Sequence, residues 1–137
     1  MAIISPTSLN PVVFDKRLRE MNFGDWEGQT YERLKHLHAY REWLDHPQDV
    51  TPPSGESWEQ FQGRLTDFMD SLAYRMQEEN DDTISASSAL IVTHGGVIRQ
   101  MSSMLIPGVN FWDVTINPAS LLSLKVTLYE GQWVGRC

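Results

Sequence analysis

Two side chains of this chain have the chemical types and the surroundings for acid–base work on an anion: Glu20 and His94. Glu20 precedes a short stretch rich in glycine, acid and tryptophan, and His94 follows an apolar run and precedes Gly95 and Gly96. A carboxylic acid can protonate a leaving oxygen, while an imidazole can stabilise charge on a transferred group. The pair therefore indicates chemistry on a bound anion.

Each of the two residues also has a structural interpretation. A histidine at the end of a strand commonly makes only structural hydrogen bonds, and Glu20 can pair on the surface with Arg17 or Arg19. Residue type and spacing leave both interpretations open.

The stretch ALIVTHGGVIR, residues 89–99, predicts the element that positions the histidine. An apolar run ending in Thr93 and His94 is typical of a buried strand, and the glycine pair predicts a tight turn into a helix. Ligands bind at the carboxyl ends of parallel strands, and a helix N-terminus offers unpaired N–H groups to an anion. We therefore expect Gly95 and Gly96 to bind the anionic group of a substrate through their backbone.

The rest of the chain alternates predicted strands and helices. Apolar spacing predicts a helix from Thr30 to about His46 and another after Ser57, which forms a capping box with Gln60. The remaining predictions are a short strand (Asn10–Phe14), a polar connection (Asp15–Met21), a folded loop (Asn22–Gly28), a flexible connection (Asp81–Ser88), a helix after the glycine pair that Pro107 and Gly108 end, and a strand (Ser120–Tyr129) followed by a turn and a last short strand. This alternation predicts an α/β fold with a sheet covered by helices.

Length and composition exclude several classes of protein. A chain of 137 residues is expected to form one domain, residues 1–137. The net charge of −7 argues against nucleic acid or an anionic membrane as the partner. A lone cysteine, Cys137, and the lack of a signal peptide or of a run of about 20 apolar residues predict a cytoplasmic protein.

Three motifs carry a family resemblance: RLREMNFGDWEG, PPSGES and ALIVTHGGVIR, in that order. With them the chain resembles the histidine phosphatase superfamily, which contains cofactor-dependent phosphoglycerate mutase, from about Val12 to Trp133. Within it the wording EMNFGDWE is most similar to the α-ribazole-5′-phosphate phosphatases of cobalamin synthesis. The resemblance implies a mostly parallel sheet flanked by helices.

The resemblance also implies a reaction and the residues that carry it. A histidine attacks the phosphorus of a small-molecule phosphate ester, and water then releases phosphate, with no metal and no cofactor. Glu20 matches the acid that protonates the leaving alkoxide and later helps to activate water. His94 matches the second histidine, which stabilises the phosphoryl oxygens, and Gly95 matches the glycine beside the pocket.

One part of the family pattern is missing, since no Arg-His-Gly triplet occurs in the chain. Family members supply the nucleophilic histidine from that triplet. We therefore expect the C-terminal portion of a phosphomonoester hydrolase, incomplete at the N-terminus and inactive alone. Because the missing strand lies in the middle of the sheet, we also expect a longer parent protein or self-association through an unpaired strand. The alternatives are a non-catalytic remnant that binds anions or a protein, and a phosphoglycerate mutase.

Overall fold

The chain divides into two compact units. A computed structural model describes residues 2–4, 12–79, 88–129 and 132–136. Met1–Glu20 and Ser88–Cys137 together form one unit, here called the sheet unit, and Met21–Ser87 forms the other, the helical unit. The four site residues expected from the sequence all fall in the sheet unit. One domain over the whole chain stays a prediction.

The sheet unit contains a three-stranded sheet with the strand order β2-β1-β3. Its strands are β1 (Ala2–Ile4), β2 (Val13–Phe14) and β3 (Leu90–Val92). Both pairings are antiparallel, and Ala2 lies opposite a residue of β2 on one side and of β3 on the other. The predicted strand before His94 is confirmed, but its predicted burial was wrong, since Leu90 and Val92 are exposed at the edge of the sheet.

A second sheet of the same unit is a hairpin of β4 (Lys125–Tyr129) and β5 (Gln132–Arg136), also antiparallel. All strand pairs in the described ranges are thus antiparallel, and the expected mostly parallel sheet is not found there. Connection length explains two of the three pairs, because a parallel pair needs a crossover of a dozen or more residues. The links between β1 and β2 and between β4 and β5 are shorter than that.

Helix α4 (Gly95–Leu105) follows β3 after Thr93 and His94 and confirms the predicted strand and helix, but the predicted tight turn at the glycine pair was wrong, because Gly95 and Gly96 are the first residues of the helix. Its Val97 and Leu105 side chains are buried, and the backbone leaves the helix just before Pro107 and Gly108. Burying each of these side chains contributes about 2 kcal/mol.

The segment Asp15–Met21 is a folded element with two buried apolar side chains. It contains a 3₁₀ helix, Lys16–Leu18, and both Leu18 and Met21 are almost fully buried. The prediction of a merely polar connection was wrong, because two isolated apolar residues produce no periodic pattern.

The helical unit contains α1 (Tyr31–Leu34), α2 (His38–Asp45) and α3 (Trp58–Glu79). The predicted single helix from Thr30 to His46 is wrong, since Leu37 is extended, with φ −84° and ψ 125°, and separates α1 from α2.

The capping box before α3 is confirmed. The Gln60 N–H donates to Ser57 Oγ (3.1 Å), and the Ser57 N–H donates to Gln60 Oε1 (3.0 Å). The apolar stripe of α3 is buried at Phe61, Leu65 and Phe68, as its helical spacing predicted. The predicted connection over residues 80–87 and the hairpin turn at residues 130–131 lie outside the described residues.

None of the helices in the described ranges has both the length and the apolar character needed to cross a bilayer.

Candidate active site

His94 lies where β3 gives way to α4 and is the N-cap residue of that helix. Its backbone is extended, with φ −96° and ψ 163°, and its carbonyl oxygen accepts the Ile98 N–H at 3.0 Å. The imidazole makes no capping hydrogen bond and is exposed. The backbone of His94 therefore makes the hydrogen bond that begins the helix, and its imidazole is exposed.

Thr93 joins this turn to the segment that carries the acid. Its hydroxyl donates to the Leu18 carbonyl oxygen at 2.7 Å. Leu18 is fully buried and ends a 3₁₀ helix whose N-terminal N–H, that of Arg17, is capped by Asp15 at 2.9 Å. Because Leu18 lies only two residues before Glu20, this contact brings the acid to the carboxyl end of β3.

The Glu20 carboxylate lies on the first turn of α4. Its Oε2 atom accepts the Gly96 N–H at 3.0 Å. A Cβ atom on residue 96 would lie 3.0 Å from the Glu20 Cδ and 3.1 Å from its Oε2, and closer still to Oε1. The carboxylate can therefore approach the helix only because residue 96 has no side chain.

This arrangement gives Gly96 a specific part. The sequence led us to expect its backbone to meet a ligand anion, and in the structure its N–H meets the chain's own carboxylate. A helix N-terminus favours negative charge, so the hydrogen bond from Gly96 and the helix dipole both stabilise the Glu20 carboxylate in this position. Glu20 and Gly96, two of the expected site residues, are thus in direct contact, and His94 is the N-cap residue of the same helix.

Gly95, the fourth expected residue, has no such close neighbour. A Cβ atom there would lie 3.7 Å from Arg99 Nη1 and 3.9 Å from Ile116, which are ordinary contact distances. The contact identifies Arg99, the last residue of the stretch ALIVTHGGVIR, for which the sequence predicted no role. The available signal was its spacing, because residues four apart share a helix face and side chains lean toward the helix N-terminus.

Arg99 is half-buried and held by two neutral groups. Its Nε–H donates to the Val114 carbonyl oxygen at 3.0 Å. Its guanidinium carbon lies 5.4 Å from the centre of the Trp112 ring, within range of a cation–π interaction.

In the helical unit, the loop Asn22–Gly28 is folded as the sequence predicted. Gly24 has a φ of +56°, and a Cβ atom there would meet the backbone of the turn at Pro53 and Gly55. The Asp25 N–H donates to the Pro53 carbonyl oxygen at 2.9 Å. A glycine is therefore required at position 24 by conformation and by space.

A half-buried ion pair supports the same loop. Arg64 donates to both carboxylate oxygens of Glu56, at 2.7 and 3.0 Å, and Glu56 Oε1 also accepts the Asn22 N–H at 3.2 Å. The Glu56 N–H in turn donates to the Asn22 carbonyl oxygen at 2.8 Å. The motif PPSGES thus contributes to holding the loop through Glu56.

Aromatic side chains fill the space beside this loop. Phe23 lies edge-on to Trp43 (5.4 Å) and Trp26 edge-on to Tyr40 (5.3 Å), while Tyr40 stacks on Trp43 (6.3 Å). Such pairs add about 1 kcal/mol each beyond the area they bury. The aromatic residues of the predicted folded loop therefore have packing roles.

Charge in the described part of the chain offers few other candidates. No three His, Cys, Asp or Glu side chains lie close enough together in these ranges to hold a metal ion. The hydrogen bond from Arg17 holds the pKa of Asp15 below its ordinary value, and this pair belongs to the 3₁₀ cap.

Comparison with known proteins agrees with the motifs. A family model described as histidine phosphatase superfamily (branch 1) matches residues 1–136. Fructose-2,6-bisphosphatase TIGAR of Xenopus tropicalis is 31% identical over 133 residues, which cover 90% of this chain and 46% of that protein. The adenosylcobalamin/alpha-ribazole phosphatase of Salmonella typhimurium is 31% identical over 103 residues, 72% of this chain and 47% of that protein.

A third relative is phosphoglycerate mutase-like protein 4 of Arabidopsis thaliana, 30% identical over 93 residues, 66% of this chain and 37% of that protein. The chain spans about half the length of the curated relatives it matches.

Proposed function

We propose that this chain, which belongs to the histidine phosphatase superfamily, carries the acid and the second histidine of a phosphomonoester hydrolase. The observation that supports this most is the hydrogen bond between Gly96 and Glu20, which puts a carboxylate on the helical turn that begins after His94. An acid and an imidazole so placed can act on one phosphoryl group.

In the proposed reaction a nucleophilic histidine forms a bond to phosphorus as the ester P–O bond breaks. Glu20 gives its proton to the leaving alkoxide, and the resulting carboxylate then takes a proton from the water that cleaves the phosphohistidine. His94 donates a hydrogen bond to the phosphoryl oxygens and stabilises their charge. Gly96 positions the acid through its N–H, and Gly95 leaves the backbone open beside it.

The nucleophile is the part that this chain does not supply through an Arg-His-Gly triplet. We therefore expect the purified 137-residue protein to release no phosphate from p-nitrophenyl phosphate above the level of a His94→Ala control. Robust turnover that disappears in His94→Ala would instead make His94 the nucleophile and overturn the assignment of roles.

For the substrate of the whole enzyme we propose an α-ribazole-5′-phosphate-like ester. The EMNFGDWE wording and the similarity to the Salmonella typhimurium phosphatase support this choice. The Xenopus tropicalis relative is named for fructose 2,6-bisphosphate, so that ester is the direct competitor. Saturation-transfer NMR with both esters compares them on the present chain, and preferential binding of the sugar bisphosphate would overturn the choice.

The missing triplet favours a second candidate, a remnant that binds anions without turnover. It predicts binding of inorganic phosphate in calorimetry, weakened by His94→Ala, together with no hydrolysis by any longer form of the protein. Hydrolysis by a longer form would exclude the remnant. Transfer of the phosphoryl group between positions of phosphoglycerate by that form would instead establish a mutase.

We also propose that two copies associate through β3. Among the described strands β3 is hydrogen-bonded on one side only, to β1, and its Leu90 and Val92 are 39% and 47% exposed. The stretch SALIVT, residues 88–93, has no charge, so two copies can pair there without like-charge contact despite a net charge of −7. A two-fold pairing of identical strands follows from symmetry.

Light scattering at high concentration tests the association. We expect a dimer that Val92→Lys dissociates, while Leu121→Lys, at another exposed leucine of the sheet unit, leaves it intact. A monomer with sharp cooperative melting would count against the proposal.

A further inference from the structure

Arg99 differs in its partners from the other half-buried arginines of the described residues. Arg17 binds the Asp15 carboxylate and Arg64 binds the Glu56 carboxylate, each through two nitrogen atoms. Arg99 is held by the carbonyl oxygen of Val114 and by an aromatic ring. The positive charges of Arg17 and Arg64 are paired with carboxylates, whereas Arg99 has no carboxylate partner among the described residues.

The direction of the Arg99 side chain adds to this contrast. Its Nη1 atom lies in van der Waals contact range of the first turn of α4, 3.7 Å from where a Gly95 side chain would begin. The guanidinium group has five N–H donors, and within the described ranges only Nε–H has an acceptor. The donors on the two terminal nitrogens remain for a ligand, in the planar geometry that suits two oxygens of a phosphate.

The fixed position of this cation has an energetic consequence. A half-buried guanidinium without an acid partner has lost part of its hydration without a compensating charge. The Nε bond and the Trp112 ring also restrict its rotamers, so little conformational entropy is lost when an anion binds. Binding of an anion at the first turn of α4 would therefore be favoured both by the uncompensated charge of Arg99 and by its restricted side chain.

We propose that Arg99 is a substrate-binding residue of the site formed by Glu20 and His94, and that it takes two non-bridging oxygens of the phosphoryl group. This inference rests on the proposed function, because it identifies Arg99 as the positively charged residue of the site that Glu20 and His94 form. It supplies a fixed positive charge for the phosphoryl group in a chain whose net charge is −7.

The test measures binding of inorganic phosphate by calorimetry to the wild-type chain and to Arg99→Gln, Arg99→Lys and Lys125→Gln. Lys125→Gln removes the same charge from an exposed position of the sheet unit and controls for net charge. We expect Arg99→Gln to weaken binding by at least about tenfold and to reduce its salt dependence. Arg99→Lys should recover part of the affinity, and Lys125→Gln should change it little.

Circular dichroism and melting of each variant separate binding from packing. If Arg99 only anchors Val114, then Arg99→Lys and Arg99→Gln lower the melting temperature alike, with no difference in phosphate affinity between them. Equal phosphate affinity of Arg99→Gln and wild type overturns the assignment of Arg99 while leaving the proposed function intact. Failure of the wild-type chain to bind phosphate at millimolar concentration overturns both.

Discussion

The contact between Glu20 and Gly96 allows a mutation whose effect on stability should change sign with its background. In wild type, the methyl group of Gly96→Ala would overlap the carboxylate, whose Cδ lies 3.0 Å from the Cβ position. Gly96 does not have a positive φ, so alanine fits the backbone. The flexible Glu20 side chain should move away, and the helix should remain.

The size of the effect follows from two opposing contributions. Loss of a hydrogen bond to a charged carboxylate costs about 2 kcal/mol. Replacing glycine by alanine in a helix contributes about 1 kcal/mol of stability. Gly96→Ala should therefore lower the free energy of unfolding by about 1 kcal/mol in wild type and raise it by about 1 kcal/mol in Glu20→Ala. The coupling between the two positions is then about 2 kcal/mol.

Urea or thermal denaturation of the four proteins measures this cycle, with about 4 °C in melting temperature for each kcal/mol. Gly95→Ala is the matched control, because its Cβ atom would make only ordinary contacts, at 3.7 Å or more. It should be neutral or stabilising in both backgrounds. If Gly96→Ala stabilised the protein equally with and without Glu20, the carboxylate would not lie on this turn and the site would lose its basis.

Three further changes test the surrounding structure. Ser102→Ala should raise the free energy of unfolding by about 1 kcal/mol, measured in urea, because the buried Ser102 hydroxyl has no hydrogen-bond partner among the described residues. Arg17→Gln should destabilise the protein by about 1 kcal/mol at neutral pH. Because Arg17 holds the pKa of Asp15 below its ordinary value, that difference should be complete above pH 5 and shrink as the pH falls through about 4 and below, in denaturation at each pH. Gly24→Ala should lower the free energy of unfolding by about 3 kcal/mol, because the added Cβ atom would overlap the Pro53 backbone. The expected result is a lower melting temperature.

The local elements of the site could be predicted from the sequence because their signals are local. The apolar run before His94 and the helical spacing after it predict a strand and a helix within a few residues, and the structure has β3 and α4 there. The capping box of Ser57 and Gln60 was equally visible, since both partners lie within one helical turn.

The contacts that assemble the site could not be predicted in the same way. Glu20 and Gly96 are 76 positions apart, and Leu18 and Thr93 are 75 apart. No periodicity links residues at such separations, and only the family resemblance associated the acid with the histidine. The break between α1 and α2 was hidden for a different reason, because apolar residues at near-helical spacing continue across Leu37.

The hydrogen bond at Gly96 constrains how the proposed site can recognise phosphate. A helix N-terminus is a common binding place for phosphate, but here one of its N–H groups already holds a carboxylate. Binding of a phosphate dianion by a chain with a net charge of −7 is favoured by a fixed positive charge within a few ångströms. Recognition must therefore depend on side chains more than on the backbone: His94 is the N-cap residue of α4, and the Arg99 guanidinium reaches the first turn of that helix. Gly96 then positions the Glu20 carboxylate through its N–H, and Gly95 lies beside the Arg99 guanidinium.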